Sequence, residues 1–206
     1  MRTPLWLSLA LVVAVAFTLT LALALAVTGS AAAAPGGEPA ASVEAVTPHV
    51  EVSPPMLLLR GFGVEAGVKI RRRFEIGAAL FTLTIPEAFQ GDNKDEDWDI
   101  RDTGGGVMAR WHLREDGRGL FLGAVLEAQN HALSRAGESM DSLELGVAGQ
   151  VGYQWFPIGG SSFYIRPSLL VVAPLYLSEE RELAGETFEE PLPVRFVPLV
   201  YTGFEL

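Results

Sequence analysis

The chain has 206 residues, of which 49% are hydrophobic and 19% charged, and its formal net charge is −10. This composition excludes a disordered polypeptide, and the acidic balance argues against a nucleic-acid partner, which would need a basic face. The sequence contains no cysteine. Disulfides, thiolate metal sites, a cysteine nucleophile and a lipidated cysteine are therefore excluded.

Residues 1–34 show the order of features that defines a secretory signal peptide. Arg2 precedes an apolar stretch from Leu5 to Val27, and small residues follow from Ser30 to Ala34. This order predicts export and cleavage; an uncleaved anchor is the alternative, because the apolar stretch is long enough to span a bilayer. Residues 35–44 are rich in Pro, Gly, Ala and Ser and predict a flexible linker, which leaves residues 45–206 as the folded domain.

Beyond the linker, apolar residues alternate with polar or small ones, a period of two that is typical of strands whose faces meet different surroundings. From residue 61 onward this alternation marks seven strands. If these strands form a membrane barrel, their number must be even, so 45–52, although interrupted by Pro48, is assigned as the first strand. The later sequence contains no apolar run long enough for a membrane-spanning helix, so any crossing must be made by strands. Strands are predicted over 45–52, 61–70, 74–84, 107–114, 120–129, 143–155, 163–173 and 194–206.

The connections between these strands alternate in length. Short turns are predicted over 71–73, 115–119 and 157–162, and long acidic loops over 86–103, 130–142 and 174–193. We interpret the acidic loops as solvated rather than as cation sites, because they lack the ligand spacing of a calcium loop. Short turns at one end and long loops at the other are the arrangement of bacterial outer-membrane barrels.

Ionisable residues within the strands share the parity of the small or polar face of their own strand. A lipid-facing Arg or Lys costs roughly 2–4 kcal/mol at the membrane midplane, whereas inward residues of opposite charge can pair. We therefore predict an interior polar network made of Glu65, Lys69, Glu75, Arg110, His112, Glu127, Glu144, Arg166, Arg195 and Glu205.

Two features favour lipid rather than water outside the barrel. The polar face is rich in glycine, which suits the narrow interior of eight strands, and aromatic residues gather near the short turns, where an interfacial girdle is expected. The alternative is a soluble periplasmic barrel of the lipocalin kind, with its apolar face inside. The predicted girdle consists of Phe74, Trp111, Tyr153, Trp155, Phe163 and Phe204.

The ending Val200–Leu206 and the segments 152–157 and 163–168, in the context of a leader and alternating strands, resemble the small outer-membrane barrels of the OmpA-type superfamily. The resemblance is architectural and covers about 45–206. It implies an all-β, eight-stranded antiparallel up-and-down barrel in the outer membrane of a Gram-negative bacterium. The partners expected for the protein are membrane lipid, lipopolysaccharide and the barrel-insertion machinery, and the protein is expected to be a monomer. Such proteins usually end in an aromatic residue; this chain ends in Leu206, and Phe204 on the same face is expected to serve instead.

The three histidines do not indicate an enzyme. His112 is expected as an interior histidine, His131 at a loop edge and His49 in the first strand. The H-x-S spacing of outer-membrane deacylases is absent, so no hydrolase, metal or cofactor is predicted.

The inward face is apolar in the loop-proximal halves of three strands. Phe81, Leu83, Leu170, Val172, Val197 and Leu199 are expected there, as a ligand-lining surface or a packed plug of side chains. The first functional hypothesis is a structural or surface-interaction barrel that is closed to solutes. The second is a narrow channel or a carrier for a small hydrophobic molecule.

Overall fold

A computed structural model describes residues 46–87, 98–177, 182–183, 186–187 and 194–206, with the side chains of 177, 182, 186 and 187 left out. The predicted signal peptide and linker lie outside these residues and stay predictions. No helix in the described ranges is long and apolar enough to cross a bilayer.

The described elements are β1 (Val46–Val52), α1 (Pro54–Leu58), β2 (Phe62–Ile70), β3 (Phe74–Ile85), β4 (Asp99–His112), β5 (Gly119–Arg135), β6 (Glu138–Gln154), β7 (Phe163–Leu177), β8 (Glu182–Leu183), β9 (Glu186–Thr187) and β10 (Arg195–Glu205). Eight of the strands close into an antiparallel barrel in the order β1-β10-β7-β6-β5-β4-β3-β2, so each strand pairs with its neighbours in the chain and β1 pairs with β10. The fold-class prediction of an eight-stranded up-and-down barrel is confirmed. A two-stranded ribbon, β8 with β9, lies between β7 and β10 in the chain.

The loop predicted over 130–142 is wrong. Strands β5 and β6 continue through it and pair as far as Arg135 and Glu138. Only Ala136 and Gly137 connect them, and both have positive φ, 51° and 85°. Positive φ at both central residues matches the twist of the flanking strands and makes the tightest hairpin turn. The hairpin therefore extends as strand where the sequence suggested a polar loop.

The two other predicted loops are shorter than expected. Strand β4 begins at Asp99, eight residues before the predicted start, and its first residues pair with the extended part of β5. Strand β7 continues to Leu177 across an irregularity opposite Leu145 and Gly146. This irregularity is a β-bulge, which inserts one extra residue without ending the pairing. Strand β7 therefore continues to pair beyond Pro174.

The two faces of the barrel have opposite chemistry. Arg110, Arg166 and Lys69 are among the largest fully buried side chains, whereas Leu122 and Leu126 are each 54% exposed. The strand positions that the alternation placed inward are inward in the barrel except Arg114, the last residue of the predicted strand 107–114, whose parity had placed it inward. Arg114 lies in the exposed turn that follows β4.

The wall of the barrel is lowest at β1 and β2, the short strands joined by α1. The Pro54–Pro55 pair begins this helix, because proline fits the first helical turn, where no backbone N–H partner is needed. Met56 of α1 is buried over the lumen, while Leu57 and Leu58 are exposed. The helix thus continues the wall above the two short strands.

Candidate functional site in the lumen

The end of the lumen near the short turns is filled by charged and polar side chains, which we call the lower plug. Its members come from β1, β2, β3, β4, β6, β7 and β10, so nearly every strand contributes to it. The lower plug consists of His49, Glu51, Glu65, Lys69, Glu75, Arg110, His112, Gln154, Arg166 and Glu205.

Arg110 of β4 bonds to side chains of three other strands at the centre of the lower plug. Its guanidinium forms a bidentate pair with Glu65, with 2.7 Å between Nη2 and Oε2, and lies 2.5 Å from Glu75 Oε1. Its Nε donates to Gln150 Oε1 at 2.8 Å. Bidentate pairs of this kind are the strongest charge-assisted hydrogen bonds in proteins.

Arg166 joins the opposite wall to the same carboxylates. Both of its terminal nitrogens donate to Glu75, at 2.8 and 2.9 Å, and Nη1 is also 2.5 Å from Glu51 Oε1. The Tyr164 hydroxyl donates to that Glu51 oxygen at 2.7 Å. Glu75 therefore bridges two arginines that come from β4 and β7.

Lys69 closes the lower plug toward the short turns. Its Nζ is 2.6 Å from Glu205 Oε1, and it also donates to Gln154 at 3.3 Å. Four carboxylates of the lower plug face three permanent cations and two histidines, so its charges nearly cancel. Near-complete pairing is what makes buried charges tolerable.

His49, which the sequence placed in the first strand, next to Pro48, lies at the middle of this cluster and is 2% exposed. Its Nε2 is 3.6–3.8 Å from oxygens of Glu51, Glu65 and Glu75, and these four residues could geometrically surround a metal ion. The carboxylates, however, already bind Arg110 and Arg166. A divalent cation would have to displace two guanidinium groups, so we assign the cluster to ion pairing.

A second polar group, which we call the upper cluster, lies toward the other end and consists of Asp102, Gln129, His131, Glu144 and Arg195. His131 Nδ1 is 2.6 Å from Asp102 Oδ1, and its Nε2 is 3.2 Å from Glu144 Oε2. Gln129 donates to Glu144 at 3.0 Å, and Arg195 pairs with the same carboxylate. The prediction of His131 at a loop edge is wrong, because the residue is buried inside the extended hairpin.

The strand register brings Asp102, His131 and Ser142 side by side on three neighbouring strands. These are the residue types of a hydrolase triad, but the geometry does not make one. Both ring nitrogens of His131 face carboxylates, so neither is placed to accept a proton from a serine. Ser142 is also fully buried.

An apolar cavity of about 210 Å³ separates the lower plug from the upper cluster. All six residues that the sequence suggested as ligand-lining lie in its wall: Phe81, Leu83, Leu170, Val172, Val197 and Leu199. Met108 and Val125 add to the apolar lining, and Met56 of α1 contributes from the low side of the barrel. The cavity is therefore built from the inward face rather than from loops.

Glu127 also lines this cavity, and its position differs from that of the other predicted network residues. Among the charged residues in the cavity wall, Glu65, Asp102, Arg110 and Arg195 all have ion-pair or hydrogen-bond partners. No described residue forms a hydrogen bond or ion pair with Glu127; Arg195 and His131 act on it only through longer-range electrostatics. Glu127 is thus a carboxylate facing an apolar space.

The aromatic residues predicted as a girdle lie around the end of the barrel near the short turns. Phe74 contacts Trp111, with ring centroids 6.5 Å apart, and Phe163 contacts Phe204 at 5.3 Å. Tyr153 and Trp155 are about half exposed, at 48% and 53%.

Outside the strands, the β4–β5 turn carries an exposed ion pair. Arg114 donates to both carboxylate oxygens of Asp116, at 3.2 and 2.9 Å, and the Arg118 backbone N–H donates to Asp116 at 3.0 Å. These hydrogen bonds favour the ionised carboxylate and hold the pKa of Asp116 below its ordinary value of 3.8.

No protein-family model matches the sequence, and no curated protein matches it. Among solved structures, the chain is similar to the crystal structure of Neisserial surface protein A, with 11% identity, a TM-score of 0.46 and coverage of 78% of this chain and 94% of that chain. It is also similar to Ail, the attachment invasion locus protein of Yersinia pestis, with 9% identity, a TM-score of 0.42 and coverage of 78% and 96%. These likenesses are too distant to carry a residue role to this chain.

The sequence prediction omitted several members of the two polar groups. The alternation already placed His49 and Glu51 inward, and this signal could have added both to the network. Asp102 and His131 were missed because the strands containing them were assigned as loops. Gln150, Gln154 and Tyr164 were missed because the prediction followed formal charge and left out neutral hydrogen-bonding groups.

Proposed function

We propose that the protein is an integral barrel of the outer membrane of a Gram-negative bacterium, closed to solute flow, which presents a rigid polar hairpin at the cell surface. The observation that supports this most strongly is that the inner and outer faces of the barrel have the opposite polarity to those of a soluble protein. Ionic residues are buried in the lumen, and large apolar residues cover the outside.

The outward apolar band has the height of a membrane interior. Along β6 and the residue that follows it, the band runs from Leu145 to Trp155, and Val147, Val151 and Tyr153 between them are 39–48% exposed. At about 3.4 Å per residue and a tilt of about 40°, this run covers roughly 26 Å, close to the band of about 25 Å typical of outer-membrane barrels. A soluble lipocalin-like barrel would have the opposite arrangement, so this alternative is disfavoured.

The lower plug supports a closed lumen. Arg110 and Arg166 reach across the barrel to shared carboxylates, and both side chains are fully buried. A conducting path would have to break bidentate ion pairs in a medium of low dielectric constant, where their removal is costly. A narrow channel is therefore the weaker hypothesis.

The surface role rests on the part of β4, β5 and β6 that continues beyond the apolar band. There the outward face becomes polar, with Asp99, Arg101, Ser139 and Asp141 exposed. The inward side of the same region is packed by Trp98, Ile100, Leu133 and Leu183. This extension is thus a structured element with a polar exterior, suited to contacts in the surrounding medium.

The expected partners follow from this placement and remain proposals. Membrane lipid and lipopolysaccharide would surround the apolar band, and the insertion machinery would act on β10, where Phe204 is 51% exposed. We infer a monomer without enzymatic activity. Membership of the OmpA-type superfamily remains a prediction from the sequence.

Planar-bilayer recording of the purified, refolded protein tests the closed lumen. We expect no steady single-channel current, and the Arg166→Met variant, which breaks the lower plug, serves as the comparison. Steady unitary current from the wild-type protein would overturn the proposal of a closed barrel.

A second candidate function, a carrier for a small hydrophobic molecule, is favoured by one observation: the apolar cavity of about 210 Å³ above the lower plug. Such binding is compatible with a closed lumen, because the ligand need only enter and leave on one side.

A further inference from the structure

The cavity between the lower plug and the upper cluster combines an apolar wall with one carboxylate that has no partner among the described residues. Glu127 lies on the inward face of β5, two residues from Val125 and two from Gln129, and all three line the cavity. A carboxylate facing apolar surroundings is costly unless a cation or hydrogen-bond donor meets it.

The charges around the cavity favour a cation. The described charged residues in the cavity wall are three carboxylates, Glu65, Asp102 and Glu127, and two cations, Arg110 and Arg195. Both cations already form ion pairs with carboxylates other than Glu127. Negative charge is therefore in excess on the side where Glu127 projects.

The volume restricts the size of a ligand. An engineered apolar cavity of about 150 Å³ holds benzene, so a space of about 210 Å³ suits a six-membered ring with a short chain. A large lipid or a peptide would not fit within it.

We propose that this cavity is a binding site for a small apolar amine, with the ring or alkyl body against Leu170, Val172 and Leu199 and the ammonium group against Glu127. The step forms a salt bridge and changes no covalent bond. This ligand class goes beyond the surface role and specifies the carrier function suggested for the same cavity; it rests on the lumen geometry and not on the surface role.

The test uses 4-fluorophenethylamine as the probe, observed by ¹⁹F NMR with the full folded barrel in lipid nanodiscs, and with empty nanodiscs to correct for partition into lipid. The neutral control is 2-(4-fluorophenyl)ethanol, which has the same body. We expect the amine to bind at least about tenfold more tightly than the alcohol, equivalent to about 1.4 kcal/mol. Glu127→Gln should abolish this preference.

Two further variants separate the site from indirect effects. Glu138→Gln removes a carboxylate at the exposed tip of the β5–β6 hairpin and should leave the preference unchanged. Val125→Phe, or Val197→Phe if the first variant does not fold, should fill the cavity and abolish binding of both probes. Equal binding of amine and alcohol, binding of neither probe, or an amine preference that survives in Glu127→Gln would each overturn the proposal.

Discussion

The lower plug and the cavity above it are formed by the same inward strand faces, but they treat buried charge in opposite ways. In the lower plug each permanent charge has a partner, and Glu75 is shared between Arg110 and Arg166. In the cavity Glu127 faces apolar side chains and has no partner among the described residues. The difference shows that strand alternation determines which face a charge occupies, whereas register and neighbouring strands determine whether it is neutralised.

Breaking the lower plug should have the largest effect on stability. Arg166→Met removes the guanidinium group that pairs with both Glu51 and Glu75. Removing one partner of a buried ion pair typically costs roughly 3–5 kcal/mol, and we expect a loss of this size in the free energy of unfolding, measured by urea titration in lipid vesicles. Arg114→Met, in the exposed β4–β5 turn, is the matched control and should leave the free energy of unfolding nearly unchanged, because exposed ion pairs contribute little. Similar losses for the two variants would remove the distinction between the lower plug and the surface.

The tight packing of the lower plug should also be sensitive to a single methyl group. A Cβ at Gly203 would lie 2.6 Å from Glu51 Cγ, 2.7 Å from the Val50 carbonyl oxygen and 2.8 Å from Tyr164 Cζ. Overpacking of this kind costs about 1–3 kcal/mol, so Gly203→Ala should lower the unfolding free energy by that amount. At Gly149, on the outward face, a Cβ meets nothing within 4 Å. Gly149→Ala should be neutral, and an equal loss in both variants would contradict the packing described here.

Glu127→Gln should change stability little, in contrast to the same substitution at Glu75. Removing an unpartnered charge from apolar surroundings relieves a desolvation cost, so we expect a change within about 0.5 kcal/mol or a small gain. Glu75→Gln removes the charge that two arginines share and should be strongly destabilising. A large loss of unfolding free energy in Glu127→Gln, measured by the same urea titration, would show that this carboxylate has a partner. The contrast between the cavity and the lower plug would then be lost.

The smallest effect is expected at the Arg114–Asp116 pair, outside both regions. Because the folded-state pKa of Asp116 is lowered, its stabilising contribution is present above its unfolded value of 3.8 and is lost as the pH falls through the folded value. The stability difference between wild type and Asp116→Asn should therefore be present at neutral pH and disappear in strong acid. A difference that does not depend on pH would contradict this assignment.

The sequence predicted the strand faces well because alternation with a period of two is a local signal. Arg110, Glu127 and Arg166 were all placed inward from parity alone. The sequence did not predict how far β5 and β6 extend, because their turn is Ala136-Gly137 and not one of the usual hairpin turns, Asn-Gly or Asp-Gly. It also could not predict that, among the described residues, Glu75 has partners and Glu127 has none, because partners depend on contacts between strands that lie far apart in the chain.

Site-directed labelling along β5 tests most directly whether the outward face meets lipid. The chain has no cysteine, so single cysteines at Leu122, Val125 and Leu126 can carry a fluorophore without background labelling. We predict that brominated lipids quench the label at Leu122 and Leu126, which are exposed outside, but not at Val125, which lines the lumen. Absence of quenching at the two leucines, or equal quenching at all three positions, would contradict a barrel with lipid outside and its charges within.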